Sequence, residues 1–273
     1  MLRGLVFISP PLGLPVSLSK ASPYNASMKN NRMRILLGSG GYRTDERVRN
    51  FRARLTAHLG SIRRVLFIPY ALSDHDGHVK TLTERGLSAD YELVGIHRCP
   101  DPRTAIREAE AIYVGGGNTF RLLHALYELN LLDPIRERVR AGVPYVGVSA
   151  GSNVACPTMM TTNDMPIVQP KSFAALGLVP FQINAHYYSG QNWVKHGDTL
   201  TEHFGETRDD RLREFHEMNR TPVVGLYEAG VLLCDGTNVT LHDAPARIFR
   251  KGEPPIDVTP GTELSRYLDK LEN

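Results

Sequence analysis

The sequence predicts an α/β fold in which a mostly parallel sheet is covered by helices on both faces. Short apolar segments bounded by turn residues recur along the chain, and amphipathic helical segments fall between them. Strands that are buried on both faces have continuous apolar runs of this kind, and a helix between two strands makes their pairing parallel. We found no internal repeat that would indicate a repetitive architecture.

The predicted elements follow in order from Met33. The apolar segments expected to form the first five strands are 33–39, 63–70, 91–97, 110–117 and 143–151. The helical segments are a stretch around 44–59, a second after Asn118-Thr119 and a third that opens with Asp133-Pro134 and ends before Gly142. An Asp cap, a Pro in the first turn and a closing Gly are typical helix boundaries. A charged helix over 206–219 and short strands joined by tight turns over 223–252 complete the chain.

The composition excludes several classes of protein. The 273 residues are 41% hydrophobic and 22% charged, and 32 basic residues are interleaved with 29 acidic ones. Mixed charges indicate a solvated surface and no nucleic-acid partner. No apolar run approaches the roughly 18 residues of a membrane span. Cys99, Cys156 and Cys234 are far apart, which argues against a disulfide framework or a zinc site, and Cys156 is expected to be a small buried residue.

Residues 1–32 differ from the rest of the chain. A short apolar run is broken by Pro10, Pro11 and Pro15 and is followed by a polar stretch. A secretory signal normally becomes helical in this region, and three prolines oppose a helix. We predict a disordered extension over 1–32, or a translation start at Met28 or Met33, and a single α/β domain over 33–273. A cytoplasmic location is expected.

The residues Gly147-Val148-Ser149-Ala150-Gly151 match the pattern G-x-S-x-G. In this pattern a strand reverses into a helix within one residue, and small flanking residues allow the turn while leaving the serine exposed. The motif lies at the end of an apolar strand and before a helical segment, so Ser149 is a candidate nucleophile. A simple Gly-Ser turn between a strand and a helix is the alternative.

A glycine-rich loop, Gly115-Gly116-Gly117-Asn118, ends the preceding predicted strand. Consecutive glycines can present backbone N–H groups to an anion. The N–H groups of Gly117 and Ala150 are therefore candidates for an oxyanion hole. A phosphate-binding loop is the competing interpretation, but the Lys-Ser/Thr of a P-loop is missing.

A serine nucleophile needs a base, and the base usually needs an orienting carboxylate. His186 follows the apolar run at 181–184 and is therefore the candidate base. The carboxylate candidates are Asp164, which could equally cap a turn before Pro166, and Glu228, which could be an ordinary strand-end carboxylate. Spacing does not decide between them.

Four runs, in order, resemble the dipeptidase E family of serine α-aspartyl dipeptidases, which are related to cyanophycinase. The runs are YVGGGNTFRLL (113–123), VGVSAGSNVACPT (146–158), TTNDMPIVQP (161–170) and PFQINAHY (180–187). The resemblance covers roughly residues 34–250. It implies a fold like that of class I glutamine amidotransferases, hydrolysis of short peptides with an N-terminal aspartate through an acyl-enzyme, and no cofactor or metal. A homodimer is also plausible by this resemblance.

The resemblance assigns a role to several residues. Ser149 corresponds to the nucleophile and His186 to the histidine, and the charge-relay carboxylate falls on Asp164 in preference to Glu228. Arg208, in the run Gly-Glu-Thr-Arg, corresponds to the arginine that holds the aspartyl carboxylate of the substrate. Asn118 is expected to bind substrate as part of the glycine-rich loop.

Two segments depart from the family pattern. The segment between Tyr187 and Phe204 is longer, holds the only tryptophan, Trp193, and is expected to border the site. The segment 71–79 contains two aspartates and two histidines, which we interpret as a polar surface loop because nothing nearby completes a metal site.

Three other functions are alternatives to this one. A cyanophycinase-like β-aspartyl hydrolase would use the same machinery. A lipase of the α/β-hydrolase type would need a histidine near the carboxyl terminus, where this chain has none. A non-catalytic module that binds a small ligand would be favoured if a serine-directed probe failed to label Ser149.

Overall fold

The predicted α/β architecture is present in a computed structural model, which describes residues 32–268. Its strands form a seven-stranded sheet, a four-stranded sheet and a two-stranded hairpin. The strands are β1 (Arg34–Gly38), β2 (Arg64–Ile68), β3 (Glu92–Gly95), β4 (Ile112–Val114), β5 (Tyr145–Val148), β6 (Gln182–Tyr187), β7 (Asn192–His196), β8 (Thr199–His203), β9 (Val223–Tyr227), β10 (Val231–Asp235), β11 (Asn238–His242), β12 (Ala246–Phe249) and β13 (Ile256–Val258).

Helices connect most of these strands, and several begin at a residue whose side chain caps the helix. Thr44, Asp101 and Asn118 each accept a backbone N–H at the start of a helix, as N-cap residues do. The helices are α1 (Asp45–Leu59), α2 (His75–Glu84), α3 (Pro102–Glu108), α4 (Thr119–Glu128), α5 (Leu132–Arg140), α6 (Ala150–Ala155), α7 (Arg208–Met218) and α8 (Ser265–Leu268).

The seven-stranded sheet has the order β11-β10-β1-β5-β4-β2-β3. The five strands from β1 to β3 in this order are parallel, and β10 and β11 extend the sheet as antiparallel strands. Side chains alternate between the faces: Ile35 and Leu37 pack in one core with α4 and α5, while Leu36 packs in a second core with α1. Helices therefore cover both faces, as predicted.

The four-stranded sheet has the order β13-β12-β9-β6. Strands β6 and β9 pair in parallel, although about forty residues separate them, and β12 and β13 continue the sheet in antiparallel pairing. The short strands after residue 223 were expected, but their division between two sheets was not. This second sheet matters for the site because the candidate base lies on β6 and Glu228 directly follows β9.

Two segments differ from the expectation. The segment 71–79 is not simply a loop, because Asp74 caps α2 and the buried His78 packs its ring edge-on against Phe67. The long segment before Phe204 contains the β7–β8 hairpin, which carries the exposed Trp193. Cys156 is fully buried, as expected.

Two further observations concern membrane-spanning helices and the two ends of the chain. Within residues 32–268, no helix combines the length and the apolar character needed to cross a membrane. Residues 1–31 and 269–273 lie outside the described part. The predicted extension over 1–32 and the single domain over 33–273 therefore stay predictions.

His58, near the end of α1, should make stability depend on pH. Burial, and next the charge of Arg34, lower the pKa of His58 from 6.5 to about 4. Below about pH 6.5 the unfolded chain takes up a proton at His58, whereas the folded chain accepts this proton only near pH 4. The free energy of unfolding therefore decreases as the pH is lowered from about 6.5 to about 4. We expect the free energy of unfolding to drop by about 2 kcal/mol between pH 7 and pH 5 from this group alone.

Urea unfolding of the wild type and of His58→Gln at pH 7 and pH 5 measures this contribution. Glutamine can still donate to the Tyr145 carbonyl, which lies 3.1 Å from His58 Nε2, but it does not titrate. Other groups titrate in both proteins, so the variant should lose about 2 kcal/mol less than the wild type over this range. Equal losses in the two proteins would contradict the assignment.

Candidate active site

Ser149 lies on a sharp turn between β5 and α6, as the motif predicts. Its backbone has φ of 54° and ψ of −110°, a conformation that non-glycine residues rarely adopt. Gly151 is required for close packing, because a Cβ at this position would lie 2.1 Å from the Val114 carbonyl oxygen. The turn therefore places the Ser149 side chain at the carboxyl end of the parallel sheet, where α/β folds bind their ligands.

His186 and Glu228 complete a chain of hydrogen bonds that begins at Ser149. The distance from Ser149 Oγ to His186 Nε2 is 2.8 Å, and the distance from His186 Nδ1 to Glu228 Oε1 is 2.9 Å. The neighbouring parallel strands β6 and β9 bring these two residues together at their carboxyl ends. Nucleophile, base and orienting carboxylate have this arrangement in serine hydrolases.

Asp164, which the resemblance favoured as the carboxylate, does not occupy that position. Its Oδ2 accepts hydrogen bonds from the Thr119 backbone N–H at 2.7 Å, from the Thr119 hydroxyl at 2.5 Å and from the Thr162 hydroxyl at 3.0 Å. Thr119 is the first residue of α4, and a carboxylate is favourable at a helix N-terminus. Asp164 therefore anchors α4, and the structure corrects the sequence preference: the carboxylate at His186 is that of Glu228.

The glycine-rich loop adjoins the nucleophile. A Cβ added at Gly116 would lie 3.1 Å from Ser149 Cβ, so the backbone of the loop passes directly beside this side chain. Ala150 begins α6, and the first N–H groups of a helix have no partner within it. The oxyanion role of Gly117 and Ala150 stays a prediction that this placement supports.

Asn118 has a structural use that the sequence analysis did not assign. Its side-chain oxygen accepts from the Arg121 N–H at 3.0 Å as the N-cap of α4, and its Nδ2 donates to the Met165 carbonyl at 2.8 Å. These bonds connect the glycine-rich loop to the loop that contains Asp164. Contact between the Asn118 side chain and substrate stays a prediction.

Arg208 is a half-buried cation without a carboxylate partner. Its Nη1 donates to Asn163 Oδ1 at 2.6 Å, and its guanidinium lies 5.2 Å from the ring centroid of Tyr188. Within residues 32–268, no carboxylate oxygen comes within 4.0 Å of its nitrogens, and its buried Nε has no hydrogen-bond acceptor. Burial lowers the pKa of Arg208 because it disfavours the charged form of the guanidinium. An anionic ligand bound to this guanidinium would offset the cost of burying its charge.

Asn163 connects Arg208 to the candidate base, a link that the sequence analysis missed. Its Nδ2 donates to the carbonyl of Ala185, the residue before His186, at 2.7 Å, while its Oδ1 accepts from Arg208 and from Asn184. Both asparagines lie in the runs that carry the resemblance. For Asn184, its position at the end of the apolar run 181–184 was the signal available in the sequence.

Asp76, in the segment 71–79, pairs with two side chains outside that segment. Its Oδ1 lies 2.6 Å from His97 Nε2 and 2.7 Å from Arg98 Nε. Among the described residues, no group of three or more His, Cys, Asp or Glu side chains is arranged to hold a metal ion.

Two known proteins are similar to this chain over most of its length. "Peptidase E" of Streptomyces coelicolor is 47% identical over 218 residues, which are 79% of this chain and 86% of that protein. A Drosophila melanogaster protein named "Probable alpha-aspartyl dipeptidase" is 45% identical over 212 residues, or 77% of this chain and 85% of its own length.

A solved structure supports the fold independently. The crystal structure of a peptidase from an acI-B1 actinobacterium matches 85% of this chain and 97% of its own, with a TM-score of 0.60 at 16% identity. The model of peptidase family S51 matches residues 34–242, which include Ser149, His186, Arg208 and Glu228. The chain therefore belongs to peptidase family S51 and is a serine peptidase.

Proposed function

We propose that this peptidase hydrolyses dipeptides with an N-terminal aspartate, using Ser149 as nucleophile and His186 as base. The observation that carries the substrate preference is Arg208, a half-buried cation with no carboxylate partner among the described residues. Its hydrogen bond to Asn163, which also bonds to Ala185, connects it to the backbone next to His186. The name of the Drosophila melanogaster relative is consistent with this preference.

The proposed reaction begins when His186 removes the proton of the Ser149 hydroxyl. The Ser149 oxygen forms a bond to the carbonyl carbon of the aspartyl residue, and the N–H groups of Gly117 and Ala150 donate to the oxyanion that results. Glu228 orients the imidazole and stabilises its charged form. His186 then gives its proton to the leaving amine, so the carbon–nitrogen bond breaks and an aspartyl ester of Ser149 remains.

Water completes the proposed cycle. His186 removes a proton from a water molecule, which attacks the ester carbonyl, and the same two N–H groups hold the second oxyanion. The Ser149 oxygen leaves with the proton from His186, and aspartate is released. Each step uses only side-chain and backbone groups of this chain together with water.

Arg208→Met tests the proposed substrate preference. The planar guanidinium suits bidentate binding of a carboxylate, and a charge-assisted hydrogen bond contributes roughly 1.5 to 3 kcal/mol. We expect KM for Asp-Leu to rise by about 10- to 100-fold, with a much smaller change in kcat and less than a twofold change in kcat/KM for Ala-Leu. Steady-state kinetics on the two dipeptides measures the difference.

Arg211→Met is the matched control. Arg211 also lies in α7, but it is exposed and pairs with Glu206 at 3.4 Å, so its loss should leave both substrates unaffected. Equal loss on Asp-Leu and Ala-Leu in Arg208→Met would contradict a specificity role. Hydrolysis of β-aspartyl peptides in preference to Asp-Leu would favour the cyanophycinase-like reaction instead.

A further inference from the structure

The candidate base has an unusual position in its sheet. In the parallel pairing of β6 with β9, Ala185 lies opposite Leu226 and Tyr187 lies opposite Tyr227, with a register shift between Ala185 and Tyr187. His186 is therefore the extra residue of a bulge, and its φ of 55° is in the left-handed region. A residue in this conformation persists only when its surroundings hold it there.

Ser39 supplies the hydrogen bond that holds this bulge. Ser39 directly follows β1 and is fully buried. Its hydroxyl oxygen accepts from the backbone N–H of His186 at 2.8 Å, and its proton is donated to the Leu226 carbonyl at 2.8 Å. One hydroxyl thus links β6 to β9 at the level of the bulge, two residues before Glu228.

The residues on both sides of Ser39 contact the rest of the catalytic chain. The Gly38 carbonyl accepts from the Ser149 N–H at 2.9 Å, and the Gly40 carbonyl accepts from the Ala229 N–H at 2.8 Å. A Cβ at Gly40 would lie 2.7 Å from His186 Cε1, so only glycine permits this approach to the imidazole. The segment 38–40 therefore contacts the nucleophile, the base and the residue that follows Glu228.

We infer that Ser39 is a positioning residue for the peptidase reaction, which holds the His186 imidazole between Ser149 and Glu228 through its hydrogen bond to the His186 backbone. This inference rests on the proposed function of His186 as base. Ser39 does not touch substrate, so its removal should slow the chemical step without weakening substrate binding. Small misplacements of catalytic groups can cost about 100-fold in rate.

Ser39→Ala should lower kcat on an aspartyl p-nitroanilide by about 10- to 100-fold, with KM within about twofold of the wild type. Thr161→Val is the matched control, because the Thr161 hydroxyl donates to Ile183 on the same strand β6 at 2.9 Å but does not contact His186. Both variants should lower the melting temperature by a few degrees, and only Ser39→Ala should lose kcat. Ser39→Cys has a side chain of similar size whose thiol forms only weak hydrogen bonds, so its kcat should be intermediate. This variant tests the inference if Ser39→Ala does not fold.

A double-mutant cycle with His186→Ala separates positioning from general damage. If Ser39 acts through His186, adding Ser39→Ala to His186→Ala should change the residual rate by less than about twofold. The inference is overturned if Ser39→Ala or Ser39→Cys retains the kcat of the wild type, or if Ser39→Ala costs as much in the His186→Ala background as alone. Wild-type turnover by His186→Ala would overturn the proposed function itself, which is a different result.

Discussion

Ser149→Ala should lower kcat on Asp-Leu by at least about 10⁴-fold, because we propose that the acyl-enzyme forms on the Ser149 hydroxyl. The Ser149 hydroxyl lies 2.8 Å from His186 Nε2, and the turn that carries it has a strained backbone. Alanine adopts this conformation at a cost similar to that of serine, so the melting temperature should change by only a few degrees. The loss is therefore a loss of chemistry and not of structure.

Turnover of Asp-Leu, labelling by a fluorophosphonate probe and thermal unfolding together measure this effect. The probe should add its mass to the wild type and to Ser172→Ala, a variant at an exposed serine outside the motif, but not to Ser149→Ala. Wild-type turnover or unchanged labelling of Ser149→Ala would remove Ser149 as the nucleophile. Failure to label the wild type would favour the non-catalytic alternative.

The sharp turn that carries Ser149 could be predicted from sequence because its requirements are local. A strand that turns into a helix within one residue needs small neighbours, and Gly151 leaves room for the Val114 carbonyl, with which a Cβ would clash. The same holds for the parallel sheet, since continuous apolar runs and helix caps lie within short windows. Local patterns therefore sufficed for the fold class and for the turn at Ser149.

The carboxylate partner of His186 was not predictable in this way. Its identity depends on the pairing of β6 with β9, which are about forty residues apart, and on a bulge in β6. No residue type in the sequence indicates this bulge. Asp164 has the sequence context of a catalytic residue, but the same carboxylate is suited to the N-terminus of α4. Ser39 was missed for a similar reason, since its partners on β6 and β9 are more than 140 residues away.

The structure of the segment 71–79 could not be predicted from its composition. Its polar composition is typical of a loop, yet an aspartate at a helix start is also an N-cap, and Asp74 begins α2. His78 is polar by type but buried by packing against Phe67. Composition alone does not distinguish a polar loop from a short capped helix that contributes one residue to the core.

Glu228→Gln should lower kcat by about 10⁴-fold, while Asp164→Asn should keep kcat within about tenfold of the wild type. The Glu228 carboxylate lies 2.9 Å from His186 Nδ1, and a carboxylate in this position is expected to fix the tautomer and stabilise the imidazolium. A glutamine has a similar shape but no charge, and its amide can donate to Nδ1 and favour the wrong tautomer; the corresponding change in a serine protease costs about this factor. Steady-state kinetics on Asp-Leu measures both variants.

Asp164→Asn should instead show its effect in stability. The carboxylate accepts three hydrogen bonds at the N-terminus of α4, and loss of its charge should cost about 1 to 2 kcal/mol in the free energy of unfolding. In urea unfolding, Asp164→Asn should therefore lose more stability than Glu228→Gln, because Asp164 bonds to the start of a helix. In the kinetics, Glu228→Gln should lose more activity than Asp164→Asn, because Glu228 bonds to the proposed base. A 10⁴-fold loss in Asp164→Asn with a mild effect of Glu228→Gln would return the catalytic role to Asp164, and mild effects at both positions would remove a carboxylate from the mechanism.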